Sequence, residues 1–238
     1  MRRKFRFILI IILNPALLFA QQLPDGYDAI SNLQQQVLMN KKLESTISGY
    51  ENVKGTPLLF EKFHTGNFYF NNKTCMTGKM VNYNCYTDDV LFFDGKNTYT
   101  VNSQDIDYFT ITGNKEDIIL LFKQVFLLSE KRRIFMQILY QQESILFKRY
   151  RKEFLKADLD QPYGQNRQFD EYNDYYEYYI MQNGQEPVLL RQRKSSVAEI
   201  FNDKSDLMED YIKKEKIDLK NEGDLIKLVE YYNNLNID

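Results

Sequence analysis

From about residue 58 to residue 193, short runs of aromatic and β-branched residues are separated by Asn, Asp and Gly, and no other feature of the chain constrains its fold as strongly. Successive side chains in such runs point to opposite faces of a strand, and the residues between them suit chain reversal. In "VLFFDGKNTYTV" (90–101) Asp94-Gly95 joins two strands, and a two-residue loop sets Phe93 against Lys96. Val90, Phe92, Tyr99 and Val101 then share the better core face, with Asn97 between them, while Leu91, Thr98 and Thr100 line the other. Asn71-Asn72 marks another turn. "IDYFTI", "DIILLFKQVFLL", "RRIFMQILYQQ" and "SILFKRYRKEF" carry the texture to about residue 154. The joining segments are too short for helical crossovers, which favours antiparallel pairing.

The stretch "FDEYNDYYEYYIMQNGQEPVLL" (169–190) has tyrosine at five of the eight positions from Tyr172 to Tyr179. Asn183-Gly184 makes it a hairpin. Pairing Gln182 with Gln185 puts Tyr176, Tyr178, Ile180, Pro187 and Leu189 on one face. Tyr175, Glu177, Tyr179, Met181, Glu186, Val188 and Leu190 fall on the other. Pro187 has no N–H to donate, so the loop is wider than two residues or the second strand lies at an edge. Tyr175 and Tyr179, interleaved with acids, are the tyrosines expected at the surface.

The two ends read differently. "MRRKFR" and "FILIIILNPALLFA" form the basic and apolar parts of a signal peptide over residues 1–20, with cleavage after Ala20; retention as an anchor is the alternative. Residues 21–57 hold a leader and a short helix over 28–45, with Ile30, Leu33, Val37 and Leu38 on one stripe. In 194–238 the spacing predicts a helical hairpin. Leu207, Met208, Tyr211 and Ile212 face inward on its first helix, capped by Asp203 or Ser205. Leu225, Leu228, Val229, Tyr232 and Leu235 do so on the second, capped by Asn221. The fold class is therefore α+β: a mainly antiparallel sheet or partly open barrel over 58–193, with a short N-terminal helix and a C-terminal helical hairpin packed on it.

Removing residues 1–20 takes away four of the 31 basic residues and none of the 33 acidic ones, leaving 27 against 33, a net charge of −6. That balance and export argue against a nucleic-acid partner. Cys75 and Cys85 would meet an oxidising compartment and could form a disulfide if Gly78 bends the chain back. If 74–86 is one strand, the thiols lie about 33 Å apart and stay free. His64 is the only histidine, and no metal-binding, cofactor-binding or catalytic motif accompanies it. A Cys75–His64 nucleophilic pair has no supporting motif. Asp88-Asp89 and Glu171–Asp174 could serve a carboxylate-based hydrolase, but read more simply as a strand start and a solvated strand end. Asn72-Lys73-Thr74 matches a glycosylation sequon. The basic groups Lys131-Arg132-Arg133 and Lys148, Arg149, Arg151 and Lys152 read as sheet rims, with Arg149 and Arg151 on one side of a strand and Lys148 and Lys152 on the other.

"VKGTPLLFEKFHTGNFYF", "MVNYNCYTDDVLFFDGKNTYTV", "LFKRYRKEF", the "YYI..NG" hairpin and "EGDLIKLVEYYNNL" together resemble an uncharacterised family of exported Bacteroidota envelope proteins over residues 50–235. Phe63 is the nearest aromatic to the tryptophan expected before the first strand's glycine. The resemblance implies compartment and architecture and transfers no functional residue. The leading expectation is a non-catalytic periplasmic or outer-membrane-associated accessory protein with an envelope protein as partner, and peripheral membrane association possible. Its interaction surface would be Tyr175, Tyr179, Glu177 and Glu186, or the outer face of the tail helices. The alternatives are a glycan- or lipid-binding module on an aromatic sheet face and a carboxylate-based hydrolase.

Overall fold

The computed structural model describes residues 28–29, 39–43, 53–115, 118–158 and 169–235. Its strands are β1 (Asp28–Ala29), β2 (Met39–Leu43), β3 (Val53–Lys54), β4 (His64–Phe70), β5 (Thr74–Asn84), β6 (Asp89–Phe93), β7 (Thr98–Val101), β8 (Ile106–Thr112), β9 (Ile119–Leu127), β10 (Arg132–Gln141), β11 (Ser144–Leu155), β12 (Asp170–Gln182) and β13 (Val188–Leu189). Helices α1 (Lys194–Ile200), α2 (Ser205–Lys214) and α3 (Glu222–Asn234) follow. Among the described residues one sheet holds every strand, its main path running β13-β12-β11-β10-β9-β8-β4-β5-β6-β7-β2. Neighbours along it are antiparallel, while β1 joins β5 and β3 joins β12 in parallel. Most of the helix expected over 28–45 lies outside the described residues; its ends, Asp28–Ala29 and Met39–Leu43, are strands.

Two hairpins differ from expectation by register. β6 and β7 pair Phe92 with Tyr99 and Phe93 with Thr98, two residues from the expected register. The Asp94 carboxylate accepts from the Lys96 and Asn97 N–H groups at 2.7 and 2.6 Å and so closes a four-residue loop. An even slip keeps every face, so Val90, Phe92 and Val101 remain core. At Asn183-Gly184, both at positive φ, the Gln185 N–H bonds the Gln182 carbonyl at 2.8 Å, as a tight turn requires. Continuing that register would need an N–H from Pro187. The ladder instead resumes one residue later, with Ile180 opposite Val188 and Tyr179 opposite Leu189, on an edge strand.

Gly78, at φ +63°, lies where the β4–β5 register shifts, and its N–H bonds the Asn67 side chain. It kinks β5 without reversing it. Cys75 and Cys85 therefore sit near its two ends as free thiols, the alternative that a continuous strand required. His64 begins β4 and lies tilted against Phe60, ring centres 4.4 Å apart, whereas Cys75 pairs with Tyr69, five residues along that strand. No nucleophilic pair forms.

The core divides by face. Ile134, Met136, Val125, Leu127, Ile145, Phe147 and Tyr179 pack on one face of β9–β12. On the opposite face Phe135 and Phe122 join Tyr83, Phe109, Phe68 and Val90 from the β4–β8 half. Helices cover the remainder of that second face: Leu225, Leu228, Val229 and Tyr232 of α3, with Met208 and Ile212 of α2, bury Leu146, Tyr178 and Ile180. Asn221 caps α3 by accepting from the Asp224 N–H. Leu207, expected inward, is exposed, and Lys204 stands at the N-cap of α2 where Asp203 or Ser205 was expected. Two polar contacts fix the helices. Lys148 Nζ meets Glu222 at 2.6 Å, and the buried Asn233 side chain both donates to and accepts from the Ser144 backbone, at 3.1 and 2.8 Å.

Candidate functional site: a cleft where two strands part

β10 and β11 pair from Gln141 opposite Ile145 to Gln137 opposite Lys148, with an irregularity between Ile138 and Tyr140. Beyond Lys148, β11 continues to Leu155 with β12 as its ladder partner, and β10 diverges. The turn between β5 and β6 fills part of this opening: the Lys152 N–H reaches the Cys85 carbonyl at 3.3 Å, beside the free run of β11. The space left over is a half-open cleft of about 600 Å³, lined among others by Tyr86, Asp88, Arg132, Arg149, Arg151 and Tyr175.

Asp88 lies at its base. Asn84 forms the turn, its side-chain oxygen accepting from the Tyr86 and Thr87 N–H groups, and Asp88 follows at φ +67°, a conformation that aspartate tolerates better than most residues. Its carboxylate accepts from the Tyr83 hydroxyl, from the Phe135 N–H at 3.3 Å and from Arg132 Nη1 at 3.3 Å. Burial outweighs those three donors and lifts its pKa above the ordinary aspartate value. Burial likewise pushes the Tyr83 phenol well above its ordinary value, and the Asp88 charge adds to it. The Cys85 thiol, also raised by burial, is held protonated.

Charge pairs from several elements converge beside Asp88. Glu130, in the β9–β10 turn, bonds Arg149 of β11 and accepts from Arg132 Nε at 2.9 Å. The Arg149 bond is the main reason its pKa lies low. Glu177 of β12 accepts from Arg149 at 3.3 Å, Arg151 at 3.0 Å and the Tyr179 hydroxyl at 3.2 Å. Burial works against the charge on Arg149, yet its carboxylate partners raise its pKa above the usual arginine value. The strand alternation read from sequence holds: Arg149 and Arg151 share Glu177, whereas Lys148 and Lys152 turn to Glu222 and Asp174.

Of the expected surface, Tyr175 and Glu177 reach this cleft region. Tyr175 is 45% exposed, and hydrogen bonding to Glu153 raises its phenol pKa. Tyr179 is a correction: at 6% exposure it belongs to the core, and Tyr176 is the exposed neighbour. Glu186 lies beyond the Asn183-Gly184 turn, at the other end of β12, where it accepts from the Leu128 N–H at 3.0 Å. The four residues are thus not one patch. Asp88 was one of the carboxylates weighed for a hydrolase, but its meeting with Glu130 and Arg132 was not expected. The sequence presents Asp88 as a strand start and Arg132 as a rim charge, and only the parting of β10 from β11 joins them.

Among the described residues, no group of three or more His, Cys, Asp or Glu side chains could hold a metal ion, and no helix is long and apolar enough to cross a membrane. The fold and cleft define an α+β protein built on one large, mostly antiparallel sheet with a helical C-terminus. Comparison with protein-family models, with curated proteins and with solved structures gives no match.

Proposed function

We propose that this chain is an exported, non-catalytic protein of the cell envelope, periplasmic or outer-membrane-associated, which binds an envelope component through the cleft between β10 and β11. The observation that carries the reading is the commitment of the cleft's reactive-looking groups to one another. Asp88 accepts from three donors, Arg149 is clamped between Glu130 and Glu177, and Cys85 is held as a thiol. Such a network is rigid and presents a shaped polar surface, which suits recognition. The basic, apolar N-terminal segment supports the compartment.

A hydrolase is the second reading. It is favoured by Asp88 and Glu130, which share Arg132 and have pKa values displaced in opposite directions. Against it, every bond at Asp88 is accepted, so the carboxyl has no proton engaged for delivery to a leaving group. The test is capture from the native envelope with the tagged full chain and an Arg151→Ala variant, together with determination of the mature N-terminus. Binding reads as a reproducible envelope component held by the wild type and lost by the variant. An intact Met1 on a cytoplasmic protein, or equal capture by both proteins, would overturn the reading.

A further inference from the structure

We infer that the ligand of this cleft is a neutral saccharide, and this rests on the binding role proposed for the same site. The first ground is shape. About 600 Å³, half open, falls within the range of roughly 300–1,000 Å³ typical of small-molecule sites and is a groove for part of a chain rather than a flat protein interface.

The second ground is charge. The cations at the cleft are Arg132, Arg149, Arg151 and Lys152, and each is paired with an acid: Asp88 and Glu130, Glu130 and Glu177, Glu177, and Asp174 in turn. With Glu153 in the lining, and with Glu177 and Asp174 paired to its cations from outside it, five acids meet four bases. A polyanion would find no cationic excess, and a lipid tail would meet ionised groups in place of an apolar wall. Paired guanidinium and carboxylate groups offer donors beside acceptors, the pattern that adjacent hydroxyls of a sugar ring satisfy, each donating to the acid and accepting from the base.

The third ground is aromatic. Tyr86, from the β5–β6 turn, and Tyr175, from β12, line the same cleft and are 53% and 45% exposed. Tyr86 is braced edge-on against Tyr172 at 5.6 Å, so its orientation is set before a ligand arrives. One pre-oriented ring and a second exposed ring beside paired charges give the apolar C–H face of a sugar a surface while its hydroxyls reach the ion pairs.

The test is calorimetric titration of the full mature chain with cellohexaose, maltohexaose and mannohexaose as neutral probes and hexagalacturonate as the acidic one. Saturable binding of at least one neutral hexasaccharide is expected, with Tyr86→Ala and Tyr175→Ala each weakening it about threefold to tenfold. An unchanged thermal midpoint in these surface variants separates lost contact from lost fold. Binding of hexagalacturonate alone would overturn the neutral class while leaving a cleft that binds small ligands. Binding untouched by both variants, or no binding of any neutral probe, would overturn the inference; loss of envelope capture by Arg151→Ala would then still support the wider role.

Discussion

Replacing Asn233 with Leu tests how the helical tail holds the sheet. Asn233 is 2% exposed, and its amide forms a two-way clasp with Ser144 at the β10–β11 turn. Leu has the same branching at Cγ but is bulkier, so the change removes polar atoms, leaves no cavity, and any overpacking adds to the loss. The Ser144 carbonyl keeps a second donor, the Gln142 N–H at 3.3 Å, whereas its N–H loses the partner that α3 supplies. An orphaned buried donor costs about 1–3 kcal/mol and the lost bond to the carbonyl about 0.5–1.5, so the variant should be destabilised by about 2–4 kcal/mol. In a chain of this size that lowers the thermal midpoint by about 4–16 °C. Urea unfolding should show a reduced midpoint with an unchanged slope. The exposed neighbour supplies the control: Asn234→Leu should stay within about 0.5 kcal/mol of wild type. If Asn233→Leu falls inside that same margin, the clasp does not anchor α3 and the reasoning fails.

Glycine substitutions should separate contact from conformation: a Cβ on Gly66 would stand 2.1 Å from the Thr110 carbonyl oxygen of the paired strand, whereas one on Gly78 meets nothing within 4 Å. Gly66→Ala should therefore cost at least about 3 kcal/mol and Gly78→Ala about 1–2, and equal losses in urea unfolding would count against the β4–β8 register. Iodoacetamide labelling of the native protein, read by mass spectrometry, should modify Cys75 and reach Cys85 only after denaturation; a recovered Cys75–Cys85 disulfide would refute the extended course of β5. Asp88, with its pKa raised on folding, adds stability that is complete below its unfolded value of 3.8 and is lost as pH rises through the folded value. Glu130, lowered on folding, adds stability present above its unfolded value of 4.5 and lost as pH falls through the folded one. Relative to wild type, Asp88→Asn should gain in urea midpoint between about pH 3 and 7 while Glu130→Gln falls behind, and parallel trends would show that burial does not govern Asp88.

Local patterning made the elements legible, and long-range pairing decided the rest. Asp94-Gly95 announced a hairpin and its core face, and that face survived because the loop grew by two residues. Pro187 announced trouble in the next hairpin; the resulting slip was odd, so Val188 moved beside Ile180 and Leu189 beside Tyr179. Alternation also separated Arg149 and Arg151 from Lys148 and Lys152. No local signal, however, tells an acid at a strand start that Tyr83, Phe135 and Arg132 will enclose it. Tyr83, five positions away, comes from the same β5–β6 hairpin, whereas Phe135 and Arg132, 47 and 44 positions away, reach it only because β10 leaves β11.

The tyrosines of β12 show why alternation misjudged the surface. It sorts side chains between two faces and is silent on whether a face is covered. The end of β12 near the Asn183-Gly184 turn is covered on both sides: the helices bury Tyr178 and Ile180, and the β9–β11 core buries Tyr179. Toward the other end both covers stop, and the adjacent Tyr175 and Tyr176, on opposite faces, are both exposed. Exposure on this strand follows position along its length. The change falls near Glu177, which is opposite Arg149, and Arg149 is the first β11 residue past the last β10 partner. The parting of β10 from β11 thus opens the cleft close to where β12 loses its covers, so Tyr175 is presented beside Glu177, Arg149 and Arg151. A substitution that extended the β10–β11 ladder past Lys148 should therefore close the cleft and reduce the exposure of Tyr175 together.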